Sequence, residues 1–78
     1  MEWLDVYWDM ETEAHIALNH LSREDYENAL CNPVSEEGSD SSGRPLRFGF
    51  AVDGRKIVVI FEWIDSITVL PITAYRVD

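Results

Sequence analysis

Three observations in this sequence predict an α+β fold. Residues 45–77 hold three apolar runs separated by turn signals. Two short amphipathic segments, each opening on a capping residue, precede them, and a strand-like run lies ahead of both. The expected order is strand, helix, helix and then three strands, with two helices packed on one face of an antiparallel sheet. Seventy-eight residues make a single domain, 1–78, near the lower limit for an independent core.

Residues 3–8 (WLDVYW) set Leu4, Val6 and Trp8 against Trp3, Asp5 and Tyr7, the period of a strand. Asp9 is placed to cap a helix from Met10, with Glu11 and Glu13 complementing its N-terminal dipole. Ala14, Ala17, Leu18 and Leu21 then fall at i, i+3, i+4 and i+7, the spacing of a buried stripe. Ser22-Arg23-Glu24-Asp25 has the form of a capping box with Asp in the Glu position, and Leu21 and Tyr26 occupy the places of a hydrophobic staple. That cap predicts a kink between two short helices. Tyr26, Ala29 and Leu30 form the second helix's stripe, and Asn32-Pro33 ends it. Residues 35–43 (SEEGSDSSG) are small, polar and acidic and read as a flexible loop.

In the sheet, Asp53-Gly54 reads as a two-residue hairpin turn. It pairs Val52 with Arg55, Phe50 with Ile57, Phe48 with Val59 and Leu46 with Phe61. A second turn at Asp65-Ser66 pairs Phe61 with Leu70, Val59 with Ile72 and Ile57 with Ala74. The expected core face is Leu46, Phe48, Phe50, Val52, Ile57, Val59, Phe61, Leu70, Ile72 and Ala74. A slip of one residue would bury Arg47, which argues for this register. Residues 56–64 are apolar on both faces, as a central strand should be. Pro71 makes the last strand an edge or marks a bulge. Val58, Ile60, Val69 and Pro71 are left on the outer face, where Arg47 and Glu62 read as an acid–base pair or as an ordinary surface ion pair.

The net charge is −9, and Arg23 is the only Lys or Arg among residues 1–40. Such a field predicts weak or no direct nucleic-acid binding by the isolated protein and favours a protein partner, with the chain a monomer or homodimer. No run of about 20 apolar residues is present to span a membrane. The acidic start argues against a signal peptide, and the lone Cys31 points to the cytoplasm. His15 and His20 cannot share a metal within one regular helix, so no metal and no cofactor is expected.

The derived register draws Arg55, Lys56 and Arg76 to the hairpin tip, with Tyr75 opposite Lys56. Such a group can hold phosphate and stack a base, or be ordinary solvated cations at a strand end. His20 is placed to act as acid or base, or to stabilise the helix C-terminus.

Asn19-His20-Leu21-Ser22 followed by Glu24 and Asp25, Gly43-Arg44-Pro45-Leu46, and the ending Ile72-Thr73-Ala74-Tyr75-Arg76 resemble segments of the BrnT-type toxins. These proteins of bacterial toxin–antitoxin pairs belong with the RelE-like ribonucleases. Tyr75 stands where the family has the first arginine of a closing pair. The resemblance implies a metal-independent endoribonuclease with an antitoxin-like partner; taken with the derived register, that reading makes His20, Tyr75 and Arg76 catalytic and sets Arg47, Arg55 and Lys56 on the RNA. The alternative is a non-enzymatic protein–protein interaction domain on the same fold, using the apolar outer face of its sheet.

Overall fold

A computed structural model describes residues 4–37 and 43–77. Both helix caps written into the sequence form. The Asp9 carboxylate accepts the Thr12 N–H (2.7 Å) ahead of α1 (Met10–Ala17). Ser22 and Asp25 close a reciprocal capping box ahead of α2 (Arg23–Cys31), Ser22 Oγ accepting from the Asp25 N–H (3.2 Å) and Asp25 Oδ2 from the Ser22 N–H (3.0 Å). The kink between the helices is therefore fixed by local chemistry.

Around them run β1 (Asp5–Val6), β2 (Ser35–Glu37), β3 (Leu46–Phe50), β4 (Lys56–Trp63) and β5 (Thr68–Arg76). The class is α+β, but the topology differs from expectation. The sheet has five strands in the order β1-β5-β4-β3-β2, and it is mixed, since β1 lies parallel to β5 through Asp5–Thr68 and Val6–Val69. β2 comes from the segment expected as a loop and pairs with β3, with Val34 N–H donating to Phe48 O. Residues 38–42 of that segment lie outside the described residues.

The register of the first hairpin is one residue off the expected one. Leu46 pairs with Ile60, Phe48 with Val58 and Gly49 with Ile57. The loop has three residues, not two: Ala51 N–H donates to Arg55 O, Gly54 N–H closes a turn on Ala51 O, and Gly54 takes the left-handed φ of 96°. A turn followed by a left-handed glycine is the three-residue hairpin loop, and its extra residue turns every side chain of β3 over. Arg47, Gly49 and Ala51 thus face the helices. Leu46 and Phe48 lie on the outer face, while Phe50 and Val52 are exposed.

Arg47 is buried at 4 % exposure. Its Nη1 donates to Leu30 O (2.8 Å), one of the last carbonyls of α2, and its guanidinium lies 5.6 Å from the Phe61 ring centroid and 5.9 Å from that of Trp63. The expected Arg47–Glu62 pair is absent, and Arg44 holds Glu62 instead (2.9 Å). Beside it, Gly49 lets α2 lie directly on β3: a Cβ there would stand 2.7 Å from Ala29 Cα.

The second hairpin also departs from expectation. Val59 pairs with Ala74 and Ile60 with Thr73, then Phe61 pairs with Pro71, which leaves Ile72 as a bulge. Pro71 marks that bulge, and β5 is an inner strand where β1 pairs with it. Val69 and Pro71 are buried, not outward. The Tyr26 hydroxyl lies beside the bulge and donates to Ile60 O (2.7 Å). Burial pushes its pKa far up, against the smaller opposite pull of the Ile72 N–H.

Ile16, Leu21, Tyr26, Ala29 and Leu30 pack in one cluster with Ile57, Val59, Phe61, Val69 and Ala74. The stripe expected on α1 is not its docking face: Ala14 and Ala17 are exposed, and Leu18 is 78 % exposed. Thr12, Ile16 and Asn19 face β5, with Thr12 Oγ1 donating to Pro71 O (3.4 Å) and Asn19 Nδ2 to Ala74 O (2.9 Å). The two polar side chains satisfy β5 carbonyls beyond the reach of β1, which hydropathy alone does not register. A second cluster, Leu46, Val58 and Ile60 with Phe48, Ile72 and Val77 against it, occupies the outer face.

Candidate functional site

Helix α1 ends in a tight reversal. His20 N–H donates to Ala17 O (3.0 Å) and Leu21 N–H to Ile16 O (3.1 Å), while His20 sits at φ 61°. This is the Schellman pattern, with histidine in the left-handed position that usually takes glycine. Left-handed backbone costs a β-carbon residue about 1–2 kcal/mol, and such strain concentrates at functional sites. His20→Gly is therefore expected to stabilise the fold. With glycine's greater unfolded-state freedom offsetting about 0.4–1 kcal/mol, the net gain is about 0.5–1 kcal/mol, read as a raised urea midpoint. A lowered midpoint would show that the imidazole holds the fold together.

The reversal forms one wall of an open cleft of about 400 Å³ lined by Leu18, Asn19, His20, Arg55, Tyr75 and Arg76. The walls come from three places in the chain: the α1–α2 junction, the tip of the β3–β4 hairpin and the end of β5. Two polar side chains tie them together. Asn19 fixes the junction to Ala74, next to Tyr75 and Arg76. Asp25 fixes α2 to the hairpin, its Oδ1 accepting from Val52 N–H (2.9 Å) and its Oδ2 lying 3.6 Å from Arg55 Nη2.

Asp25 is buried, which acts to raise its pKa. The Ser22 and Val52 N–H groups, the Ser22 hydroxyl and the Arg55 charge outweigh that and hold the carboxyl below the usual range. A carboxylate depressed in the folded state contributes stability that is present above its unfolded pKa of about 3.9 and is lost as pH falls through the folded value. Stability is thus expected to fall steadily below about pH 4. Asp25→Asn should cost about 1.5–3 kcal/mol at neutral pH, as hydrogen bonds to a charged group do, and should flatten the acid limb. Unfolding curves from pH 2 to 7 test this, and an unchanged acid limb in Asp25→Asn would place the proton uptake elsewhere.

Of the residues expected in the site, His20, Tyr75, Arg76 and Arg55 meet in the cleft, and Arg47 and Lys56 do not. Arg47 lies under α2, where no phosphate in solvent can reach it. Lys56 reaches over the Phe48 ring on the outer face (5.8 Å). Tyr75 stands opposite Val58 rather than Lys56, because the register moved by two at this end. Arg55 is already engaged, its Nε lying 2.9 and 2.8 Å from the two Asp53 oxygens. Sequence reasoning missed Asn19 and Asp25 as the ties of the cleft. Asp25 carried a signal, as a capping-box residue, but its second partner, Val52, is distant in sequence.

No group of three or more His, Cys, Asp or Glu side chains is placed to hold a metal among the described residues. No described helix is long and apolar enough to cross a membrane. Comparisons with protein-family models, with curated proteins and with solved structures find no match for the chain.

Proposed function

We propose that this protein is a BrnT/RelE-like member of a bacterial toxin–antitoxin-type system and cleaves RNA without a metal. One observation carries the reading: His20, Arg55, Tyr75 and Arg76, distant in sequence, line one open cleft. Arg55 and Arg76 supply positive charge for a phosphate, and the planar Tyr75 side chain, 44 % exposed, suits an unpaired base. His20 or Tyr75 moves the protons. The RNA 2′-hydroxyl, losing its proton to a base, attacks the adjacent phosphorus, and the 5′-oxygen leaves with a proton from an acid. The products are a 2′,3′-cyclic phosphate and a free 5′-hydroxyl.

The test is cleavage of single-stranded RNA in a chelator, with wild type, His20→Gly and Arg76→Ala. Activity in the chelator that is lost in both variants supports the reading, and its loss in folded His20→Gly separates chemistry from stability. Equal cleavage by all three sinks it.

A second reading is favoured by the outer sheet face. Leu46, Val58 and Ile60 form a second buried cluster there, with partly buried Phe48, Ile72 and Val77 packed against it and no helix over it among the described residues. An interaction domain on this fold would bind a protein partner, antitoxin-like or other, through the exposed apolar side chains, Phe50 and Val52 among them. The −9 charge supports it, since the two arginines of the cleft, Arg55 and Arg76, neutralise at most about two phosphates. Flat RNA titrations at physiological salt, with no cleavage, leave this reading in place.

A further inference from the structure

Asp53 is the residue whose position the proposed chemistry does not explain. Its carboxylate accepts from Arg55 Nε through both oxygens (2.9 and 2.8 Å) and from the Arg55 N–H through Oδ1 (3.2 Å). On the other side of the same guanidinium, Asp25 Oδ2 lies 3.6 Å from Nη2. The Nε–Nη2 edge, one of those with which arginine grips carboxylate or phosphate bidentately, is thus lined by two carboxylates. Arg55 nevertheless lines the cleft. The two aspartates differ. Asp25 is buried and bonded to the Ser22 and Val52 N–H groups. Asp53 is exposed at the hairpin tip, and its side chain is bonded to Arg55.

We propose that Asp53 is a specificity-determining residue of the cleft, an internal competitor that stands on Arg55 in place of a ligand's phosphate. An entering anion must displace it. Weakly charged anions gain too little from Arg55 to do so, whereas a phosphate dianion or a chain of phosphodiesters, with further contacts to Arg76 and His20, does. The inference rests on the cleft's being an anion site, as in the ribonuclease reading, but not on catalysis. It also gives the Asp53-Gly54 pair a use beyond the turn: Gly54 sets the hairpin loop, and Asp53 sets the charge that the cleft offers.

Asp53→Asn is the direct test, because an amide oxygen keeps the acceptor for the Arg55 N–H while the competing charge is lost. The probe is inorganic phosphate, followed by the amide shifts of Asn19, His20, Tyr75 and Arg76, and then a short single-stranded oligoribonucleotide. Removing one exposed ion-pair partner corresponds to roughly a two- to fivefold gain in affinity. We expect that gain for both probes in Asp53→Asn and its disappearance when Arg55→Gln is added. Glu11→Gln, at the far end of α1, makes the same change in net charge and should leave affinity unaltered. Unchanged or weaker binding by Asp53→Asn overturns the proposal, as does a gain that survives Arg55→Gln or is matched by Glu11→Gln. Phosphate binding with this pattern but no RNA cleavage sinks the ribonuclease reading alone. Cleavage with unchanged binding in Asp53→Asn sinks the competitor alone.

Discussion

Gly49→Ala is expected to destabilise the protein by about 3 kcal/mol or more, at the upper end of what overpacking costs. The added Cβ would lie 2.7 Å from Ala29 Cα, 2.8 Å from Ala29 O and 2.9 Å from Ala29 Cβ. Two of those three atoms are backbone of α2, so no side-chain rotation relieves the clash. The helix must lift from β3, and that strains the neighbouring contacts between Asn28 Nδ2 and Phe50 O (2.8 Å) and between Arg47 and Leu30 O. For a domain of this size, 3 kcal/mol lowers Tm by about 12–24 °C and removes much of a total stability of about 4–12 kcal/mol. Ala29→Gly added to Gly49→Ala should recover only part of the loss, since it takes away one of the three obstructing atoms. Urea unfolding of the two single variants and the double variant gives the result. In the register expected from the sequence, Gly49 faces away from the helices and alanine there is harmless. An unchanged midpoint for Gly49→Ala would therefore reinstate that register.

Arg47→Ala is expected to cost about 3–5 kcal/mol, the scale of truncating a large buried side chain. Two losses contribute: the aliphatic stem packed in the interior, and the donor to Leu30 O, whose orphaning alone costs about 1–3 kcal/mol. Arg47→Met separates them. Methionine fills the stem's volume without donating, so it should cost about 1–3 kcal/mol, between wild type and alanine. Equal stability of wild type and Arg47→Ala would mean that the guanidinium lies in solvent, where the sequence reading put it. The same pair of variants tests function. A residue under α2 should not alter RNA binding in a folded variant, whereas a phosphate-binding Arg47 would.

The elements themselves were legible because each rests on neighbours in sequence. Asp9 and the Ser22–Asp25 box announce the helix starts, and the Tyr26, Ala29 and Leu30 stripe follows the helical period onto the core. The three strands after residue 45 are marked by β-branched and aromatic runs and by the turns between them. His20, Arg55, Tyr75 and Arg76 could be singled out by residue type and by resemblance before their meeting in one cleft was visible.

What only the tertiary structure decided is register, and with it which residues are inside. Asp53-Gly54 is compatible with a two- or a three-residue loop, and the choice is made by α2 rather than by the turn. One register offers the helix Gly49, against which its backbone can lie, and sets Arg47 under its final carbonyls. The rule that a buried arginine forbids a register treats the side chain as a bare charge. Its stem is apolar and its donors can serve a helix end, which turns the penalty into an attachment. Pro71 announced an edge or a bulge, and the choice between them rests on distant partners: β1 pairs with β5, and the Tyr26 hydroxyl, 46 positions before Ile72, bonds Ile60 O beside the bulge. Local sequence thus determined the helices, the strands β1, β3, β4 and β5 and the places of the turns, but not β2, which forms where a loop was expected. Contacts between residues far apart in the chain decided how those strands slide past one another, since a one-residue slip leaves local propensity nearly unchanged but exchanges the two faces of the sheet.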